Sequence, residues 1–200
     1  MNNGQRSGRK AVFLDKDGTL IYDVPYNVDP GLIRFRPGTM EGLALLHAAG
    51  YQLVVITNQS GIARGYFQEE ELAAVIDYLR QRLAVEGIPL GGFYYCPHHT
   101  EGVVPEYTKA CECRKPEPGM LLRAAAELGI DRHRSWYIGD ILDDVEAGRR
   151  AGCRTILIDP GGETEWILTL ERLPHHIADN LADAARIITA LSLPEALCVA

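Results

Sequence analysis

Two carboxylates flank a lysine in Asp15-Lys16-Asp17-Gly18-Thr19, directly after the apolar run Ala11-Val12-Phe13-Leu14. If extended backbone continues past Asp15, residues 15 and 17 point to the same side, because side chains alternate along a strand. Like charges that close repel unless a cation lies between them or one is protonated. Mg²⁺ suits the position: it takes hard oxygen ligands and keeps room for a phosphate. Gly18 lets the chain turn sharply there. Asp140 follows the apolar run Trp136–Gly139 and offers a third carboxylate, with Asp144 one helical turn further on, and Thr57 closes the run Leu53–Ile56. The bland alternative is a pair of aspartates that merely opens a turn. Reactive residues at the ends of two further strands argue against it.

A second constellation is Cys96-Pro97-His98-His99, followed after eleven residues by Cys111-Glu112-Cys113. Soft and borderline ligands in two close pairs form a zinc pattern, although the spacing is not that of a Cys-x-x-Cys knuckle. Buried core cysteines are the competing reading, but the polar loop between the pairs offers no core. A closed Zn²⁺ site held by Cys96, Cys111, Cys113 and one of the two histidines would order that loop, and the metal would be structural. His99 is the rival to His98. Lys115 lies two residues beyond Cys113, so zinc would fix the segment that carries it.

These residues need a frame that brings them together. Strand-length apolar runs (11–15, 51–57, 92–96, 136–140 and 155–159) alternate with helical periodicity over 37–49, 68–86, 118–128, 143–151 and 181–191. The pattern predicts an α/β fold: a Rossmann-like, doubly wound parallel sheet with helices on both faces. Ligands of such sheets bind at the carboxyl ends of the strands, near a switch in strand order. Residues 1–10 read as a flexible tail and 11–200 as one domain, with the zinc loop at 96–113. About 40 residues separate Asp17 from Thr57 and already hold a helix and a strand, so no large cap domain fits.

Composition bounds the function classes. With 46% hydrophobic and 24% charged residues the chain reads as an ordinary globular protein. A formal charge of −7 and the lack of a Lys/Arg stripe argue against a zinc-dependent nucleic-acid module, the main competing class. No apolar run reaches membrane-helix length and the polar N-terminus resembles no signal peptide, so a cytoplasmic protein without membrane or nucleic-acid partners is expected. A monomer is expected as well. Cys153 and Cys198 read as small buried or terminal thiols. His47 reads as a half-buried histidine, His133, His175 and His176 as solvated loop residues.

Asp15-x-Asp17-Gly18-Thr19, Thr57-Asn58, Lys115 and Gly139-Asp140-x-x-x-Asp144 resemble, in order, the four motifs of the haloacid dehalogenase superfamily. The resemblance implies a phosphatase with an aspartyl-phosphate intermediate. By it, Asp15 is the nucleophile and Asp17 the general acid/base; Asp at 17 marks the phosphatase branch, where transport ATPases carry Thr. Thr57 and Lys115 hold phosphoryl oxygens, and Mg²⁺ is held by Asp15, Asp140 and the backbone at Asp17. The absence of a cap and the zinc loop narrow the likeness to the subfamily of heptose-bisphosphate and histidinol-phosphate phosphatases. Thr57–Gly65, Tyr94–His99 and Cys111–Leu122 look closer to the heptose branch, which implies a small sugar bisphosphate as substrate. Asn58 and Arg114 would then contact substrate, with Arg64 near the surrounding loop, and the resemblance implies His98, not His99, as the zinc ligand beside Cys96, Cys111 and Cys113. The sequence departs from that branch at Ile141, where it usually carries Lys, and 161–166 matches nothing. Histidinol phosphate or another sugar phosphate is the alternative.

Overall fold

The computed structural model describes residues 8–159 and 167–192; Cys198 and the segment 161–166 lie outside them. Six parallel strands form one sheet in the order β3-β2-β1-β4-β5-β6. They are β1 (Ala11–Leu14), β2 (Gln52–Asn58), β3 (Leu90–Cys96), β4 (Trp136–Gly139), β5 (Arg154–Ile158) and β6 (His176–Ala178). β1 pairs with β2 on one side and with β4 on the other, so the strand order reverses beside β1.

Alternate residues of the central strands feed two cores. Val12, Leu14, Leu53, Val55, Trp136 and Ile138 pack under α1 (Thr39–Ala48), α2 (Glu69–Val85) and α5 (Leu181–Ala190). Phe13, Val54, Ile56 and Tyr137 pack on the opposite face under α3 (Gly119–Leu128) and α4 (Leu142–Arg150). A sheet covered on both faces explains why these strands read as unbroken apolar runs. At roughly 25 cal/mol per Å² of buried apolar surface, the central side chains each contribute about 1.5–3 kcal/mol before entropy is counted. α1 and α5 approach closely at Gly42, where a Cβ would stand 2.6 Å from the Leu181 carbonyl oxygen.

The expected elements all form, with ends shifted by a few residues. β6 was not expected. Its three residues are short and half exposed, so they carry no apolar run to read. It removes His175 and His176 from the solvated class: His175 Nδ1 accepts the Thr155 N–H at 3.0 Å, and His176 lies against the Trp136 ring. Arg9, placed in the tail by the sequence, forms a parallel bridge with Ile130. Residues 1–7 lie outside the described residues.

Two segments lead to the site. Between β1 and α1 the chain holds only the bridges Asp17–Ile21 and Ile21–Phe35 and a 3-10 turn at Pro30–Leu32. The loop from β3 to α3 carries neither strand nor helix. No large cap stands over the sheet among the described residues. Within them, no helix is long and apolar enough to cross a membrane.

Candidate active site

Asp15, Thr57 and Asp140 stand at or just past the carboxyl ends of three adjacent strands, because β2, β1 and β4 run parallel and in register. One carboxylate oxygen each from Asp15, Asp140 and Asp144 lies within 4.8 Å of the others. Gly18 makes this approach possible: its φ is +80°, and a Cβ there would meet Asp140 Oδ2 at 1.9 Å. Thr19 Oγ1 donates to Asp140 Oδ1 at 2.8 Å and orients it.

Lys115 neutralises part of this charge. Its buried Nζ donates to Asp15 Oδ1 and to Asp144 Oδ1, both at 2.6 Å. Burial alone would lower its pKa, but the ion pairs with Asp144 and Asp15 outweigh that and hold it above its ordinary value. Burial raises Asp15 well above the carboxylate range; Lys115 opposes the shift, and Asp144 and Asp140 add to it. Asp140 is pushed up to about 7 by burial and then by the Asp144 charge. Three crowded hard oxygens, with the charge of Asp15 and Asp140 disfavoured by burial, fit a divalent cation such as Mg²⁺. Asp144 also accepts the Tyr137 hydroxyl at 3.0 Å, at full burial.

Lys115 arrives from a loop, and Asn58 fixes it there. Asn58 Oδ1 accepts the Lys115 N–H at 3.0 Å and Asn58 Nδ2 donates to its carbonyl at 3.2 Å. Asn58 lines the cleft as expected of a substrate contact, and it also carries this clasp, which sequence alone does not show.

The Asp17 carboxylate does not join the metal cluster. Lys16 Nζ donates to its Oδ1 at 2.8 Å, and Gln59 Nε2 donates to its Oδ2 at 3.1 Å. Gln59 donates also to Thr57 Oγ1 at 2.9 Å. Asp17 still lines the same small cleft of about 180 Å³ as Asp15, Thr57, Lys115 and Asp140, at whose mouth Ile141 is half exposed. A larger recess of about 300 Å³ adjoins it, sharing Asp17, Asp23 and Asn58 and walled by Tyr26, Ser60 and Phe67. Lys16, Gln59 and Tyr26 were not singled out from sequence. The only signal was their adjacency to Asp17 and Thr57 and, for Tyr26, the turn chemistry of Pro25.

Cys96, His98, Cys111 and Cys113 converge as expected, with one ligand atom each inside 4.8 Å. The Sγ atoms are 3.0 to 3.5 Å apart, and His98 Nδ1 is 3.3 Å from the Cys113 sulfur. Hydrogen bonds from Cys96, then Cys111 and His98, hold the Cys113 thiol down to about 5 against the opposing effect of burial. Three thiols and an imidazole nitrogen, one thiol already acidic, fit Zn²⁺. His99 takes no part: its Nδ1 accepts the Glu101 N–H, and its Nε2 faces Arg64 Nη2 at 3.2 Å. Arg64 and Arg114 both lie against this loop, Arg114 donating to the His98 carbonyl at 3.5 Å. Neither bonds to the carboxylate cluster.

Residues 112–184 match the family model described as HAD-hydrolase-like. The chain belongs to the haloacid dehalogenase-like phosphatases. A D-glycero-beta-D-manno-heptose-1,7-bisphosphate 7-phosphatase from Pasteurella multocida (strain Pm70) is 43% identical over 185 residues, 92% of this chain and 98% of that relative. The protein of the same name from Escherichia coli (strain K12) is 40% identical over 177 residues, 84% and 93% of the two chains. A crystal structure of D,D-heptose 1.7-bisphosphate phosphatase from B. bronchiseptica, complexed with magnesium and phosphate, superposes with a TM-score of 0.76 at 30% identity. The match covers 92% of this chain and 99% of that one.

Proposed function

We propose that the protein removes the 7-phosphate of D-glycero-D-manno-heptose 1,7-bisphosphate, leaving heptose 1-phosphate. The observation that carries the choice of substrate is the near full-length likeness to relatives named for it. The site supports the chemistry. Asp15 forms the new O–P bond while the ester P–O bond breaks, and Asp17 gives the departing alkoxide its proton. Water then loses a proton to Asp17 and attacks the aspartyl phosphate, which frees phosphate and restores Asp15. Thr57 and Lys115 hold phosphoryl oxygens whose charge changes along the way. Asp15, Asp140 and the backbone at Asp17 would hold Mg²⁺, which would neutralise charge at the phosphoryl group.

The recess beside Asp17 is where the sugar is expected to lie, with Asn58 at its edge. Arg114 and Arg64 supply cations beside the zinc loop for the second phosphate. Zinc at Cys96, His98, Cys111 and Cys113 holds the loop. The reading includes a single domain over 11–200 acting as a cytoplasmic monomer. Phosphate release from heptose 1,7-bisphosphate and histidinol phosphate, side by side with Mg²⁺ and with Asp15→Asn as control, tests it. Strong preference for the bisphosphate is expected. Preference for histidinol phosphate overturns the substrate and makes Ile141 the first residue to examine.

A further inference from the structure

We infer that Gln59 is a positioning residue that sets Asp17 and Thr57 for their steps with one amide group. The inference rests on the roles proposed for those two residues. A primary amide has two N–H bonds, and Gln59 directs one to Asp17 Oδ2 at 3.1 Å and one to Thr57 Oγ1 at 2.9 Å. The amide must present its nitrogen here, because its oxygen would repel the carboxylate.

Each bond has a consequence. The Thr57 hydroxyl already accepts a hydrogen from Gln59, so its own O–H is left to donate elsewhere, and Thr57 lines the cleft with Asp15 and Lys115. Asp17 is gripped from two sides, by Gln59 at Oδ2 and by the buried Lys16 at Oδ1. That fixes the plane of the carboxylate beside the cleft instead of in the metal cluster. Gln59 can do this because it is itself fixed. It is 6% exposed, and its backbone N–H donates to the Cys96 carbonyl at 2.8 Å, where the zinc loop begins.

The leaving group separates the two effects. Departure of an alkoxide needs the proton from Asp17; departure of an activated aryl oxide does not. The experiment compares kcat/KM on an alkyl phosphate and on a nitro-substituted phenyl phosphate, with Mg²⁺, for the parent protein, Asp17→Asn and Gln59→Leu. Asp17→Asn is expected to lose at least about tenfold more on the alkyl ester than on the aryl ester. Gln59→Leu is expected to show the same selectivity, plus a loss of several-fold common to both esters that vanishes in a Thr57→Val background. If Asp17→Asn is selective and Gln59→Leu loses equally on both, Gln59 does not act through Asp17 and the inference is overturned. If Asp17→Asn itself loses equally, Asp17 is not the acid, and the proposed role of Asp17 fails first. Where Gln59→Leu does not fold, the isosteric Gln59→Glu places a carboxylate against Asp17 and is expected to be selective in the same way. Parent-like leaving-group dependence in Gln59→Glu also overturns the inference.

Discussion

Asn58 grips Lys115 by both polar groups of its backbone, the N–H at 3.0 Å and the carbonyl at 3.2 Å. The clasp joins the end of a central strand to the far end of the zinc loop. Lys115 Nζ, reaching inward from that anchor, ends 2.6 Å from both Asp15 and Asp144. A long flexible side chain is thereby delivered from an irregular segment with strand-like precision.

Removing the clasp is therefore expected to act on rate through Lys115. Asn58→Ala should lower kcat by about 10- to 100-fold, since small misplacement of a phosphate-binding group is costly. Asn58→Asp keeps the acceptor for the Lys115 N–H but loses the donor, and should fall between Ala and the parent. Steady-state kinetics with the preferred ester checks the order.

Lys115 is also structural. Lys115→Met leaves Asp15 and Asp144 buried without their cation, a loss on the order of 3–5 kcal/mol for a broken buried pair. Burial already raises Asp15 and Lys115 opposes that rise, so the variant should hold its protons to higher pH. Its stability deficit should grow from about pH 5 to pH 8 and shrink in acid. Denaturant titrations at the two pH values measure the difference.

The pH response of the metal-free protein follows from Asp140. Its carboxyl, pushed up to about 7, stays protonated in the folded state while an unfolded aspartate ionises near 3.9. Folding then retains a proton between those values, so Asp140 contributes a stability that is lost as pH rises from about 4 to about 7. Mg²⁺ binds the ionised form. Thermal melts should therefore show a larger rise in Tm with added Mg²⁺ at about pH 7.5 than at about pH 5. Equal shifts would count against a Mg²⁺ site that includes Asp140.

Zinc and magnesium should separate cleanly. Cys111→Ser removes one of four converging ligands and, with it, the order of the loop that ends at Lys115. The purified variant should carry less than the one zinc per chain expected of the parent, melt lower and turn over more slowly. Its Mg²⁺ dependence should stay near that of the parent. Full activity in a variant shown to be zinc-free would contradict this coupling.

Much of the frame was legible because parallel strands buried on both faces spell themselves out as apolar runs, and because their carboxyl ends must coincide. The zinc ligands were legible in kind, and the structure selects His98 over His99. What could not be read is where side chains go once the chain leaves the strand. β1 ends at Leu14 and Gly18 turns with positive φ, so Asp15 joins the carboxylate cluster while Asp17 turns to Lys16 and Gln59. Asp144 could be placed one turn from Asp140, but its two bonds to Lys115 and Tyr137 join residues 29 and 7 positions away. Such pairings arise from tertiary packing and leave no local pattern.

The most direct test of the chemistry is to quench a turnover in acid and map the peptides by mass spectrometry. With an activated aryl phosphate, whose departure needs no proton from Asp17, a phosphoryl group on Asp15 is expected in the parent and trapped in greater amount in Asp17→Asn, with none in Asp15→Asn, which should release no phosphate. Sustained phosphate release by Asp15→Asn, or an adduct on a different residue, would contradict nucleophilic attack by Asp15.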